Sequence, residues 1–184
     1  MNKTLNKLLY RKDLDTFMYW PLSTNFDETE EYKNGFLKLD TGENIFDFPK
    51  QIWDKLKTLQ LKYYPGISDE LISLLAKKDK ITKENIYLGG GSLNLVDAII
   101  RLFIDPGDEV ITCSPTYVMY EYFVQLARGK TIDVPRKDTE IDIKAIKNSL
   151  TSKTKMIILD NPTNPFGYTI SQEQIRSLLN LQII

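Results

Sequence analysis

Two short runs of this 184-residue sequence combine residue types that could hold a charged small molecule. The first is Gly89-Gly90-Gly91-Ser92, followed by Leu93, lying between an apolar run at 86–88 and a helix-like pattern at 93–104. Glycines let a backbone approach a ligand closely, and Ser92 could cap the helix that follows. Free amides at a helix start, together with the helix dipole, favour a phosphate. For an isolated glycine cluster the plain alternative is a tight turn with a serine cap. Neither the dinucleotide fingerprint nor the Walker loop fits, because Leu95 or Val96 stands where the third glycine would be and no Gly-Lys pair follows. The second run is Asn161-Pro162-Thr163-Asn164-Pro165-Phe166-Gly167. Two Asn-Pro pairs and a glycine dictate a rigid, non-helical loop. Its asparagine side chains are left as fixed polar groups that can hydrogen-bond a phenolic or carbonyl oxygen.

The surrounding pattern shows how such runs would be positioned. Apolar runs at 86–88, 110–113, 132–134 and 156–159 alternate with helical patterns at 93–104, 117–127 and 141–150. Strands alternating with helices predict an α/β fold with a mostly parallel sheet. The loop at 161–167 then follows a strand at its carboxyl end, where open α/β sheets place ligands. Asp105-Pro106-Gly107-Asp108 is a stop between helix and strand, with Gly107 able to take positive φ. Upstream, Pro49 opens a helix over 49–61, and Ser68 with Glu70 begins another whose apolar face is Leu71, Ile72, Leu74 and Leu75. Before about Asn44 the aromatics follow no single period, as expected of an arm packed on something else. The expected division is an arm and interface segment at 1–48 and the first part of a larger domain at 49–184. A helix at 171–179 leads into 181–184, which reads as the opening of a strand cut short.

Composition narrows the chemistry. With 24 basic and 25 acidic residues and no single-sign run, nucleic acid is not an expected partner. Cys113 is the single cysteine and histidine is absent, so His/Cys metal sites and Ser-His or Cys-His nucleophiles are excluded within the chain, and no metal is expected. The first 20 residues mix Lys, Asn and Asp among apolar positions, offering neither a signal peptide nor a membrane span, so a cytoplasmic location is expected.

Several further motifs share an order. Leu39-Asp40-Thr41-Gly42-Glu43-Asn44, Tyr64-Pro65, Gly89 to Asn94, Asp105 to Glu109, Ser114 to Tyr117 and Asn161 to Gly167 together resemble the fold-type-I aminotransferases, most closely their histidinol-phosphate branch, over residues 37–184. The resemblance implies the large domain of a pyridoxal 5'-phosphate enzyme and a homodimer acting on an amino donor and a 2-oxo acid. At matching positions it implies that Asn164 hydrogen-bonds the ring hydroxyl oxygen and Tyr117 stacks on the pyridine ring. Gly91, Ser92 and Leu93 would cradle the phosphate, and Tyr64 would reach the phosphate of the partner subunit's cofactor. Two departures stand out: Leu93-Asn94 where Asp-Glu is common, and Phe166 where Thr is usual.

In this family the Schiff-base lysine and the aspartate facing the pyridine nitrogen lie at positions beyond residue 184, so these residues supply no catalytic lysine and the chain alone is expected to be inactive. Ser152-Lys153 imitates the family's Ser-Lys pair but sits among Thr151, Thr154 and Lys155 with no Gly-Arg after it, which marks a solvated loop. Alternatives are a threonine-phosphate decarboxylase, another class I/II aminotransferase, or a non-catalytic fragment.

Overall fold

The computed structural model describes residues 34–35, 44, 46–60, 62–63, 66 and 68–181. Most of the motif at 39–44, the Tyr64-Pro65 pair, the aromatics of the arm, and the last expected strand beyond Leu181 lie outside them. The chain divides into two compact units, Met1–Leu75 and Ala76–Ile184.

In the first unit, helix α1 spans Lys50–Leu56 and starts from Pro49, whose φ of -53° is already helical. It ends earlier than its apolar pattern suggests, and Ile52, Trp53 and Leu56 all remain exposed. Helix α2, Asp69–Asp79, runs across the division between the units. Acidic Asp69 and Glu70 open it and basic Lys77 and Lys78 close it, each complementing the helix dipole. Its expected apolar face is not a buried one. Leu71 and Leu74 are exposed, and Ala76 is the buried residue of this helix.

The second unit is built on a three-stranded parallel sheet of order β2-β1-β3, where β1 is Glu109–Thr112, β2 is Lys130–Asp133 and β3 is Thr154–Ile157. The central strand is buried at every position, Glu109 and Thr112 included, which is why its middle residues Val110 and Ile111 are apolar without alternation. Four helices cover it: α3 (Ser92–Phe103), α4 (Met119–Leu126), α5 (Ile143–Asn148) and α6 (Gln172–Leu179).

Alternate residues of the strands face opposite layers. Val110, Met156 and Ile158 pack with Ile100 and Ile104 of the α3 end and with Phe123 and Val124 of α4. Ile111, Cys113, Val134 and Ile157 pack with Ile146 of α5, Ile170 and Leu178. Caps fix where two helices start. Asp142 accepts from the Ala145 amide ahead of α5, and Ser171 and Gln174 form a reciprocal capping box at α6, each type of cap contributing about 1 kcal/mol. Gly107 takes φ 94° in the turn between α3 and β1, as its sequence context requires.

One expected strand is absent. Residues 86–88 follow a short 3-10 turn at Lys83–Asn85, and although Ile86 is extended (φ -121°, ψ 123°), the segment pairs with no strand among the described residues. An apolar run can extend the backbone, but a strand also needs a neighbour to receive its hydrogen bonds. Among the described residues no helix is long and apolar enough to cross a membrane.

Candidate active site

The glycine loop ends in a conformation that only glycine adopts readily. Gly91 has φ 95° and ψ 167° and is the N-cap of α3. Ser92 is thus the first helical residue and not the cap expected from its type, and no side chain caps this helix. The reason is local: the backbone reversal occurs at Gly91, so the helix begins one residue sooner than a serine cap would place it. Asn94 turns back and accepts from the Gly90 amide through its Oδ1 at 3.2 Å, stiffening the loop from inside the first turn. The amides of Ser92 and Leu93 belong to that turn and have no intrahelical acceptor. Gly91, Ser92 and Leu93 are all exposed.

The loop at 161–167 is held by its own backbone and by Asp160. Thr163 N–H donates to the Tyr168 carbonyl at 2.7 Å, and Gly167 N–H to the Thr163 carbonyl at 2.6 Å. Asn161 Oδ1 accepts from the Ile170 amide at 3.0 Å. The Asn164 amide donates to Asp160 Oδ2 at 2.7 Å, while its side chain is exposed and has no hydrogen-bond partner among the described residues. Thr163 is buried, and its Oγ1 accepts from Arg136 Nη2 at 2.6 Å.

Tyr117 lies at the corner after β1, half-buried, with its ring edge-on to Tyr120 at 5.7 Å between centroids. Burial, then the negative charge of Asp160 and the neighbouring Tyr117, push the Tyr120 hydroxyl above its ordinary range. Next to Tyr117, Thr116 Oγ1 donates to Asp160 Oδ1 at 3.1 Å. The same corner is tied to β2, where Asp133 accepts from both Ser114 N–H (2.9 Å) and Ser114 Oγ (2.7 Å).

Topology places these pieces at one end of the sheet. Tyr117 follows β1 and Asn164 follows β3, both at carboxyl ends of parallel strands. α3 closes next to the turn that leads into the amino end of β1, so it runs antiparallel to the strands and its glycine start points toward their carboxyl ends. Lys153, the imitation of a cofactor lysine, is at the other end: its carbonyl accepts from the amide of Glu109, the first residue of β1, and its side chain is exposed. Tyr64 lies outside the described residues. Sequence reasoning passed over Asp160, Arg136, Thr116 and Thr163. Asp160 carried a usable signal, a charge ending an apolar strand directly before Asn-Pro. Arg136 after Val134-Pro135 offered no pattern, because its partners are distant in sequence.

Comparison with known proteins gives the chain a family. The model of the family described as aminotransferase class I and II matches residues 34–182. A histidinol-phosphate aminotransferase of Dehalococcoides mccartyi (strain ATCC BAA-2266 / KCTC 15142 / 195) is 39% identical over 180 residues, covering 96% of this chain and 50% of the relative. The chain thus spans about half the length of the curated relatives it matches. Among solved structures, aspartate aminotransferase from Thermus thermophilus with maleate aligns with a TM-score of 0.67 at 28% identity, over 74% of this chain and 40% of that one. Histidinol-phosphate aminotransferase from Sinorhizobium meliloti in complex with pyridoxal-5'-phosphate aligns with a TM-score of 0.57 at 26% identity, over 62% of this chain and 32% of that one. The family match across most of the sequence, on an α/β unit whose candidate loops converge at one sheet end, establishes that the chain belongs to the class I and II aminotransferases.

Proposed function

We propose that these residues are the N-terminal portion of a pyridoxal 5'-phosphate-dependent enzyme that moves the amino group of histidinol phosphate to 2-oxoglutarate, in histidine biosynthesis. The observation that carries the choice of substrate is the 39% identity, across 96% of this chain, to a protein named histidinol-phosphate aminotransferase. The local geometry suits the cofactor. An exposed helix start offers amides without intrahelical acceptors, and the exposed Asn164 side-chain carboxamide is uncommitted within its loop, while the Asn164 backbone N–H goes to Asp160.

In this reading Gly91, Ser92 and Leu93 hold the phosphate through backbone amides and the α3 dipole, a mode that tolerates Leu93-Asn94 in place of acidic residues because no side chain is required. Asn164 donates from its side chain to the ring hydroxyl oxygen, and the Tyr117 ring packs on the pyridine face. Tyr64 contributes to the site of a second subunit, so the intact protein works as a homodimer, with 1–48 as arm and interface and 49–184 as the start of the large domain. Bound pyridoxal phosphate supplies an electron sink for breaking bonds at the amino-bearing carbon. The lysine that holds it covalently and the aspartate facing its ring nitrogen come from the half of the enzyme that this chain does not span, and residues 1–184 alone do not turn over substrate.

The test is steady-state kinetics of the full-length protein with 2-oxoglutarate and a panel of amino donors. kcat/KM should be highest for histidinol phosphate. Preference for aspartate, or decarboxylation of threonine phosphate, overturns the assignment.

A further inference from the structure

Among the described residues, Asp160 is the one side chain that bonds to both loops carrying the candidate ring contacts. Its Oδ1 accepts from Thr116, the neighbour of Tyr117, at 3.1 Å, and its Oδ2 accepts from the Asn164 amide at 2.7 Å. The carboxylate is 9% exposed and stands 3.8 Å from Nη2 of Arg136, whose side chain is 1% exposed. Arg136 in turn donates through that nitrogen to Thr163 and through its backbone amide to the Ser114 carbonyl at 2.9 Å. Two of its guanidinium nitrogens, Nε and Nη1, have no hydrogen-bond partner among the described residues. A buried charge pair with incompletely matched donors is a poor way to gain stability, since well-packed apolar side chains would serve as well or better. Such a pair does impose one geometry on the segments it joins.

We propose that Asp160, braced by Arg136, is a positioning residue that sets Asn164 and Tyr117 relative to each other, so that the hydrogen bond to the cofactor ring and the stacking against its face are established as one unit. Each loop alone could keep its internal turn, because the Thr163–Tyr168 and Gly167–Thr163 bonds do not involve Asp160. What Asp160 adds is the link between the corner after β1 and the loop after β3, two segments 44 residues apart. Asparagine at 160 could keep its carbonyl oxygen on the Asn164 amide only by turning its NH2 group toward Thr116, whose hydroxyl can accept, and toward the Arg136 guanidinium, which cannot, so it preserves shape but loses the brace and weakens the link.

This inference rests on the cofactor reading above, and the experiment separates the two. In the full-length protein, pyridoxal phosphate affinity is measured by quenching of intrinsic fluorescence, the ring's orientation by visible circular dichroism, and order of the cofactor-free protein by amide hydrogen exchange over 114–118 and 161–167. Asp160→Asn should raise the Kd roughly tenfold, the order expected for one lost bond to a charged acceptor. It should also reduce the dichroic band and speed exchange in both segments together. Thr116→Val should move the same readouts in the same direction, and Thr116→Ser, which keeps the hydroxyl, should restore them. Wild-type protein that binds no pyridoxal phosphate overturns the cofactor reading and this inference with it. Wild-type protein that binds, with Kd and dichroism unchanged in Asp160→Asn, overturns the positioning role alone, as does faster exchange in only one of the two segments.

Discussion

Asn161 Oδ1 accepts from the amide of Ile170 at 3.0 Å, bridging the base of the loop, whereas Asn164, three residues on in the same motif, engages the protein only through its backbone amide. The two asparagines therefore answer differently to the same substitution. In Asn161→Ala the buried Ile170 amide loses its acceptor, at a cost of about 1–3 kcal/mol. In Asn164→Ala nothing in the fold loses a partner, and the change should stay within about 0.5 kcal/mol. Urea denaturation of both variants of the full-length protein measures the difference.

The glycine loop offers a comparable contrast. Gly91 has a backbone conformation that side chains strain to adopt, so Gly91→Ala should destabilise by about 1–3 kcal/mol and weaken pyridoxal phosphate binding. Ser92 caps nothing, so Ser92→Ala should leave the melting temperature unchanged while Gly91→Ala lowers it. Thermal melts of the two variants, followed by cofactor titration, check both statements.

Cys113 sits in the core, 1% exposed, and burial is the main cause that pushes its thiol up from 9.0 to about 11, against a smaller lowering by Arg136. The sign follows from the thiol being neutral when protonated. Folding favours the protonated form, so this contribution is fully present below pH 9.0 and is lost as pH rises toward about 11. The folded protein should therefore resist thiol-specific alkylation at pH 8 and react on adding denaturant, and Cys113→Ser should remove part of the alkaline loss of stability. Rapid alkylation of the native protein would contradict this.

α3 buries Ile100 against the sheet but leaves Ile99 (49% exposed), Leu102 (75%) and Phe103 (60%) uncovered among the described residues. A contiguous apolar face of this kind normally marks a contact surface. If the other half of the enzyme covers it, residues 1–184 alone should bind an apolar dye strongly and form assemblies larger than a dimer, whereas the full-length protein should bind little dye and stop at the dimer. Dye fluorescence and sedimentation of the two proteins decide it.

The sheet and its helices were legible because parallel strands buried on both faces run largely apolar, as 110–113 does but for Thr112, and because Asp105 to Asp108 carries its own stop chemistry. The loop at 161–167 was legible for the same local reason. What sequence could not carry was long-range. The failure of 86–88 to form a strand depends on a ladder neighbour, not on its residues. The bonds joining Thr116, Arg136, Asp160 and Thr163 cross up to 44 positions and leave no periodic trace. The cap at Gly91 in place of Ser92 turns on a single φ angle that side-chain preference does not reveal.

In the proposed site the Asn164 side chain is the one that hydrogen-bonds the cofactor's ring hydroxyl oxygen, while Tyr117 stacks on the ring face. The Asn164 carboxamide would donate to an oxygen that shares charge with the reacting centre, so it should set the pH at which the bound cofactor's visible absorbance titrates. Loss of a bond of that kind costs about 1.5–3 kcal/mol, or roughly ten- to more than a hundredfold in kcat if it acts in the transition state. The most direct measurement is spectrophotometric pH titration of full-length wild-type protein, Asn164→Ala and Asn161→Ala, each loaded with pyridoxal phosphate. Asn164→Ala should show a shifted midpoint and Asn161→Ala the wild-type one. An unshifted midpoint in Asn164→Ala would contradict this role for Asn164.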